Sequence, residues 1–295
     1  MGSLDISAWP RISRETWLRR RKEHRQKLEP LVKPYIEARS TGLKDPIKDF
    51  LFEYYSFRPS KLMRWSPGAG VVLEGASAED FPSLKGLAAV EGGAVVSTES
   101  FSPRRRKGAS WIKGMLEATK GRAPFLGCFG MHEWAMVYKS PAVRHEKVSM
   151  RMSPAELASF VESRPIVCSH HDAFRFFTPE ARPLNKEQPS FENMAELEQP
   201  GCLHTNMDLY RWSYKQYPWI PGDILADTFI LAMEAREIDM RASPYDLAAK
   251  GFDPIPIETQ SGRQLYLELQ QALELKSRPL RDRLIDAYGR LLTLV

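Results

Sequence analysis

Apolar residues recur at helical spacing in several stretches of the chain. Residues 16–40 are mostly helix formers on a heavily charged background, which predicts a basic helix that Pro30 and Pro34 break into a longer and a shorter piece. Asp45 and Pro46 form a helix-start signal ahead of an amphipathic pattern that reaches Tyr54. The last third is the most helical, with predicted helices at 208–217, 223–240, after Ser243 and Pro244, and in two pieces from 262 to the C-terminus that separate near 277–279.

The middle of the chain alternates between short elements and loops. Residues 67–93 are rich in glycine and alanine and predict a loop with short strands. The predicted elements that follow are a turn at 102–108, a helix at 111–119, a capping-box helix that starts after Ser153, a short buried strand at 164–168, and a long irregular connection at 179–200. We therefore expect a mainly α fold with a minor β element in a single compact helical domain, residues 45–295, preceded by a basic helical segment, residues 1–44.

Composition limits the classes of protein but does not select one. The 295 residues are 43% hydrophobic and 27% charged, which excludes a disordered chain and leaves enough apolar residues for a substantial core. The net charge of +5 permits an anionic partner without requiring one. Three cysteines, Cys128, Cys168 and Cys202, argue against a disulfide framework, and no apolar run approaches the length of a membrane span. We expect a cytoplasmic protein with no membrane partner.

The densest group of titratable residues follows the predicted buried strand. His170, His171 and Asp172 lie where that strand ends, at the edge of the core, where burial and neighbouring charges shift pKa values. We therefore take these three as the leading catalytic candidates. The alternative is structural, with one histidine capping the next helix and Asp172 accepting backbone N–H groups.

Three further polar groups interrupt apolar segments. His132 and Glu133 follow a glycine-rich stretch, with either a binding role or a turn before a buried strand starting at Trp134 as the alternatives. Cys202 and His204 repeat the spacing of Cys168 and His170, so four ligands for zinc are conceivable, although the spacing is not that of usual zinc sites. The remaining candidates in these segments are Asp208, Asp239 and Arg241.

Basic and aromatic residues are interleaved in a way that suits nucleic acid. Consecutive cations occur at Arg104, Arg105, Arg106 and Lys107. Aromatic and basic residues are neighbours in two further stretches, at Phe174 and Arg175 and around Tyr210 and Trp212. Aromatic residues at helical spacing also suit a core, and a basic run also suits a solvated surface. No P-loop, dinucleotide-binding fingerprint or nucleophile elbow occurs in the sequence, which counts against nucleotide-dependent kinases, Rossmann oxidoreductases and α/β-hydrolases.

The chain resembles a family of bacterial proteins that carry the name 3-methyladenine DNA glycosylase. The resemblance lies in the stretches 50–59, 127–138, 168–177, 199–212 and 239–247. It implies a base-excision N-glycosylase that acts on alkylated DNA without a cofactor, flips the damaged base into an aromatic pocket and directs water with a carboxylate. The implied acid is Asp172 first, then Glu133 or Asp239. The implied phosphate contacts are Arg104 to Lys107, and the implied substrate contacts are Trp134, Phe174, Arg175, Asp208, Tyr210, Trp212 and Arg241.

Two other functions remain open from the residues alone. In the first, a metal-dependent enzyme acts on a small molecule, and His132, His170, His171, His204, Glu133 and Asp208 supply the base and the ligands of a zinc or iron ion. In the second, the protein is a non-enzymatic helical module that binds nucleic acid. Convergence of His132, His170, His171, His204 and Asp172 on one cavity favours an enzyme, and their dispersal favours a structural role.

Overall fold

The computed structural model describes residues 6–42, 49–82, 84–140 and 148–295. The described residues form a mainly α fold with one small sheet, which confirms the predicted fold class. The helices are α1 Arg14–Ser40, α2 Phe50–Glu53, α3 Pro59–Leu62, α4 Pro103–Lys120, α5 Met131–Ala135, α6 Pro154–Glu162, α7 His171–Phe174, α8 Met194–Leu197, α9 Leu203–Lys215, α10 Gly222–Arg241 and α11 Gln260–Thr293. The strands are β1 Arg11–Ile12, β2 Val72–Glu74, β3 Leu87–Val90 and β4 Gly93–Val96, and short 3₁₀ turns occur at Ala78–Asp80, Arg182–Leu184 and Ala248–Lys250.

The chain forms two compact units. Unit 1 comprises Met1–Gly114, Leu209–Ile230 and Leu280–Val295, and unit 2 comprises Met115–Asp208 and Leu231–Pro279. The predicted boundary between residues 44 and 45 lies outside the described residues, and the division into segments 1–44 and 45–295 stays a prediction. The helix signal at Asp45 and Pro46 also lies there; among the described residues of the predicted stretch, α2 covers Phe50–Glu53.

Unit 1 contains the sheet and the long helix α1. The strands are ordered β1-β2-β4-β3, with β1 parallel to β2 and the other two pairs antiparallel. Strands β2 and β3 confirm the short β elements expected between residues 67 and 93, and β4 extends beyond that range to Val96. Trp17 of α1 is fully buried and donates its indole N–H to the carbonyl of Glu74 at the end of β2.

Two helices continue through prolines where the sequence predicts a break. Helix α1 includes Pro30 and Pro34, and α11 includes Pro279. A proline inside a helix costs about 3 kcal/mol, because it removes one hydrogen bond and crowds the preceding turn. Leu28 and Val32 are buried on one face of α1, and each buried side chain contributes about 1.5–3 kcal/mol, so packing outweighs the local cost.

Several other local predictions were wrong. Helix α4 already begins at Pro103, so the cationic run forms its first turns instead of a preceding loop. Residues 164–168 form no strand; Ile166 makes only an isolated bridge to Asn185. The residues after Gly130 form α5 instead of a strand, and no helix begins at Ser243 or Pro244, where the next short element is the 3₁₀ turn at Ala248–Lys250. The capping box at Ser153 is confirmed. The connection at 179–200 is irregular except for the 3₁₀ turn at Arg182–Leu184 and the four-residue helix α8. Within the described residues, no helix is both long and apolar enough to cross a membrane.

Candidate functional site

Three histidine side chains lie together in unit 2. The ring centroids of His132 and His204 are 4.5 Å apart with the planes nearly perpendicular, and those of His170 and His204 are 5.3 Å apart. All three rings are buried. They come from α5, from the residue before α7 and from the first turn of α9, so the tertiary structure gathers residues that are 72 positions apart at the extremes. Of the five residues whose convergence would favour an enzyme, these three lie together, whereas His171 and Asp172 do not join them.

His132 belongs to a buried network of charged residues. Its Nε2 lies 2.6 Å from Oδ1 of Asp239, and Nη1 of Arg236 donates to Oδ2 of Asp239 at 2.9 Å and to Oε1 of Glu133 at 3.0 Å. Arg236 and Asp239 are one helical turn apart on α10, while His132 and Glu133 are neighbours on α5. Because every charged atom in these contacts faces an opposite charge or a hydrogen-bonding partner, the network holds α5 against α10.

The pKa values in this network follow from burial and opposite charge. Burial lowers the pKa of His132, but the charge of Asp239 and the contact with Cys128 outweigh it, and the pKa lies well above its ordinary value. Burial raises the pKa of Asp239, yet His132 and Arg236 bring it below its ordinary value. Burial and the neighbouring His132 and His170 hold the pKa of His204 well below its ordinary range. His204 is therefore a neutral ring between the two other histidines.

A second buried group consists of His170, Glu198 and Asp208. The Nε2 atom of His170 lies 3.5 Å from Oε1 of Glu198 and 3.4 Å from Oδ2 of Asp208. One potential ligand atom from each residue lies within 4.8 Å of the others, and each residue is at most 1% exposed. Burial lowers the pKa of His170, but Asp208 and Glu198 raise it above its ordinary value. The geometry is suited to a metal ion.

Amide side chains fix the loop that carries Glu198. Gln199 accepts from the backbone N–H of Phe125 at 2.8 Å and donates to the carbonyl of that residue at 3.1 Å. Gln270 of α11 donates to the carbonyl of Gly201 at 2.6 Å. Arg122 donates to the carbonyl of Glu198 at 2.9 Å, so Glu198 is held from both sides although it lies outside any helix.

Asn185 and the cap of α7 position His170. The side chain of Asn185 pairs with the backbone of Cys168, accepting from its N–H at 2.8 Å and donating to its carbonyl at 2.9 Å. His170 is the N-cap of α7, and its Nδ1 accepts the backbone N–H of Ala173 at 3.2 Å. The alternative in which one histidine caps the next helix is therefore confirmed for His170. The same imidazole ring also faces the carboxylates of Glu198 and Asp208.

Cys128 extends the first network towards solvent. Its Sγ lies 3.4 Å from Nδ1 of His132, and its side chain is only partly buried. Cys168 and Cys202 are buried, and burial raises the pKa of Cys168 well above its ordinary value and that of Cys202 to about 12. Cys128 therefore differs from the other two thiols in both exposure and its imidazole partner.

The predicted pairing of the two Cys-x-His segments is not supported. His204 lies in α9, so the extended backbone that the argument requires is absent at Cys202. Among the described residues, the groups with suitable metal-ligand spacing contain histidine and carboxylate side chains and no cysteine.

Four other predicted residues of unit 2 lie beside the site instead of in it. Asp172 is paired with Arg175 at 3.1 Å, and the side chain of His171 is 26% exposed. Phe174 packs against Phe177 at a ring separation of 5.1 Å.

Trp134 and Arg241 have structural contacts. The indole N–H of Trp134 donates to the carbonyl of Ala242 at 2.9 Å, and the ring packs 4.7 Å from that of Phe160. Arg241 donates to the carbonyl of Asp253 at 2.9 Å. These contacts join α10 and its following loop to other parts of unit 2.

The remaining predicted residues belong to unit 1. Tyr210 is fully buried, 5.2 Å from the ring of Phe229, and Trp212 packs against Trp111 at 5.8 Å. The four cations Arg104, Arg105, Arg106 and Lys107 are exposed on α4. Two of the aromatic residues expected to stack on a base are therefore packed against other aromatic rings of this unit.

Sequence reasoning missed three residues that define the site. Arg236 is three positions before Asp239, a spacing that places both on one helical face. Glu198 directly precedes the conspicuous Gln199-Pro200-Gly201 segment, and Cys128 is four positions before His132. The spacing was visible in each case, but only the fold shows which partners these side chains meet.

No protein-family model, curated protein or solved structure matches the chain.

Proposed function

We propose that unit 2 is the catalytic unit of a metal-dependent enzyme that acts on a small molecule, and that His170, Glu198 and Asp208 bind a divalent metal ion. The observation that carries the proposal is the burial of two carboxylates and one imidazole within 4.8 Å of one another. Such a ligand set suits zinc, iron or manganese, because imidazole favours the transition metals and carboxylates favour hard cations.

Electrostatics favours a cation between the two carboxylates. Glu198 is 0% and Asp208 1% exposed, so water does little to screen their charges. Two negative charges separated by at most 4.8 Å repel each other by about 3 kcal/mol or more at an effective dielectric constant near 20. A divalent cation between the two carboxylates attracts both of them more strongly than they repel each other. This attraction offsets the cost of burying both carboxylates.

The imidazole of His170 can bind the metal at the cost of one capping hydrogen bond. Because Nδ1 accepts the N–H of Ala173, the imidazole proton is on Nε2, facing the carboxylates. A metal ion at Nε2 displaces that proton, and the neutral ring then carries its proton on Nδ1 and loses the capping bond. The loss costs about 1 kcal/mol, compared with about 10 kcal/mol or more for binding of a structural zinc ion.

The group formed by His132, His204 and Asp239 also has ligand-like spacing, but it suits a metal less well. Arg236 donates to Asp239 at 2.9 Å, and a guanidinium next to a ligand repels a cation. Asp239 also already has a hydrogen bond with His132. We therefore place the metal at the second group only.

A metal in this position can act as a Lewis acid that polarises a substrate or lowers the pKa of bound water. The three ligands are enclosed by protein, which suits a small substrate better than a base that is still attached to duplex DNA. This is the first of the two alternatives that the sequence leaves open.

Metal analysis tests the proposal directly. Protein purified without chelator, or depleted and then titrated with Zn²⁺, Fe²⁺ or Mn²⁺, is expected to bind about one ion per chain at a tight site. Glu198→Gln and Asp208→Asn are each expected to abolish that binding. Glu196→Gln is the matched control, because Glu196 is two residues away and exposed. The absence of tight binding by all three metals, or full binding by Glu198→Gln, would contradict the proposal.

The N-glycosylase function stays a prediction of the resemblance. Its direct assay is the release of free base from alkylated DNA by the purified protein with and without chelator. Base release that is unaffected by chelation and abolished by Asp172→Asn would favour it over the metal-dependent enzyme. The exposed cations of α4 supply a separate test of nucleic-acid binding, since their replacement should weaken DNA affinity and reduce its salt dependence.

A further inference from the structure

We propose that Cys128 is a nucleophile that attacks the carbonyl carbon of an acyl substrate, with His132 as its base and Asp239 as the residue that orients His132. This inference concerns a different set of side chains from the metal ligands and does not depend on the metal. The ligand class is an activated acyl compound, such as an ester or a thioester.

The three side chains form a continuous chain through the imidazole ring. One ring nitrogen of His132 faces the Cys128 sulfur at 3.4 Å, and the other faces a carboxylate oxygen of Asp239 at 2.6 Å. A nucleophile, a base and an acid that orients the base is the arrangement that activates serine and cysteine in hydrolases and acyltransferases. Arg236 in turn fixes Asp239, so the orienting carboxylate is held by two partners.

The surrounding charges favour a protonated ring. Asp239 from α10 faces His132, while Arg236 is turned to the carboxylates of Asp239 and Glu133. From α9, His204 presents a neutral ring, because its pKa is strongly lowered. Tyr266 of α11 is also near Cys128 and Asp239, and burial raises its pKa well above its ordinary value, so it remains neutral. The net effect raises the pKa of His132, and an imidazolium stabilises a neighbouring thiolate.

The backbone next to Cys128 is held in an unusual conformation. Phe129 has φ of 48° and Gly130 has φ of 73°, so two successive residues adopt the left-handed region. For a residue with a Cβ atom this costs about 1–3 kcal/mol, and such strain is maintained where the surroundings require it. Here it turns the chain directly between the thiol and α5, which carries the base. Cys128 is partly exposed, so an electrophile can reach the sulfur while His132 stays buried.

The chemical step is balanced by the residues and water. In the thiolate–imidazolium pair the Cys128 proton is already on Nδ1 of His132, and the thiolate sulfur bonds to the acyl carbon as the carbonyl opens to an oxyanion. The carbonyl then re-forms as the bond to the leaving alcohol or thiol breaks, the leaving group takes the proton from Nδ1 of His132, and a thioester remains on Cys128. Water, or a second acceptor, then attacks the thioester and restores the thiol.

Alkylation of the intact protein by iodoacetamide tests the activated thiol. At pH 6.5, Cys128 is expected to react faster than Cys168 and Cys202, the internal controls, which react slowly because they are buried. His132→Gln is expected to slow the alkylation of Cys128 at that pH at least tenfold, because it removes the imidazole that stabilises the thiolate. Alkylation of Cys128 that is no faster than that of the buried thiols, or that His132→Gln leaves unchanged, would overturn the proposal.

The acyl step has its own measurement. With p-nitrophenyl acetate as the probe, we expect a burst of p-nitrophenolate close to one equivalent and an acetyl group on Cys128 by mass spectrometry, both lost in Cys128→Ser. Retention of the burst in a folded Cys128→Ser protein would refute it. Protection of Cys128 by bound metal, reversed by chelator, would instead make the thiol a ligand and also overturn the proposal. Neither result depends on whether Glu198 and Asp208 bind a metal.

Discussion

Replacement of Arg236 by methionine is the sharpest stability test of the buried network. Arg236 is only 2% exposed, and one of its nitrogens donates to both Glu133 and Asp239. Methionine keeps most of the length of the side chain but removes both charge-assisted hydrogen bonds. It leaves two carboxylates buried in a place where water cannot take the role of the guanidinium.

The expected loss is about 3–5 kcal/mol in the free energy of unfolding. Each hydrogen bond to a charged group is worth about 1.5–3 kcal/mol, and removal of one partner from a buried ion pair typically costs about 3–5 kcal/mol. Lys276→Met is the control, because Lys276 pairs with Glu234 on the surface with the lysine side chain 56% exposed. Such an exposed pair contributes about 0–1 kcal/mol.

Urea unfolding followed by circular dichroism provides the measurement, with the slope compared between variants to check that the same transition is observed. A double variant with Glu133→Gln should lose less than the sum of the two single variants, because neutral glutamine no longer needs the guanidinium. A loss below about 1 kcal/mol for Arg236→Met, equal to that of Lys276→Met, would refute the view that this network is a major contributor to stability.

Two further predictions concern the histidine site. His132→Gln is expected to destabilise the protein most in the middle of the pH range. The raised pKa of His132 gives stability that is present below the ordinary histidine pKa and is lost as pH rises through the pKa of the folded state. The lowered pKa of Asp239 gives stability that is lost as pH falls through the pKa of that carboxyl in the folded state. Unfolding curves of both proteins across pH check this, and a constant difference would contradict it. Asp172→Asn is expected to leave metal content unchanged and to alter stability by about 1 kcal/mol or less, because the arginine in its ion pair with Arg175 is half-exposed. Loss of the metal in this variant, measured by elemental analysis, would contradict it.

The sequence determined the fold class and many of the local elements. Helical periodicity identified most of α1, α4, α6, α10 and α11, and the capping box at Ser153 set the start of α6 correctly. It failed at Pro30, Pro34 and Pro279, because a proline rule is local, whereas the face that a helix buries extends beyond the proline on both sides.

The contrast between local sequence rules and tertiary packing also applies to the site. The sequence identified His132, His170, His204, Asp208 and Asp239 as chemically notable residues. It did not separate them from His171 and Asp172, whose position beside His170 made the whole run look like one site. The direction of each side chain decides which of these residues belong to the site, because neighbouring residues point to different sides of the chain. His170 turns inward as the cap of α7, whereas Asp172 pairs with Arg175.

Only the tertiary structure decided which side chains are partners. Glu198 meets His170 and Arg236 meets Glu133, through positions that no sequence pattern links. The four-residue spacing of Cys128 and His132 was visible, but only the fold shows that the two side chains meet. The physical reason is that residue type and spacing fix what a side chain can do, whereas charge compensation in a buried site depends on distances of a few ångströms between distant segments. The sequence therefore supplied the chemistry, and the packing of unit 2 separated it into a carboxylate group suited to a metal ion and an imidazole network that reaches a thiol.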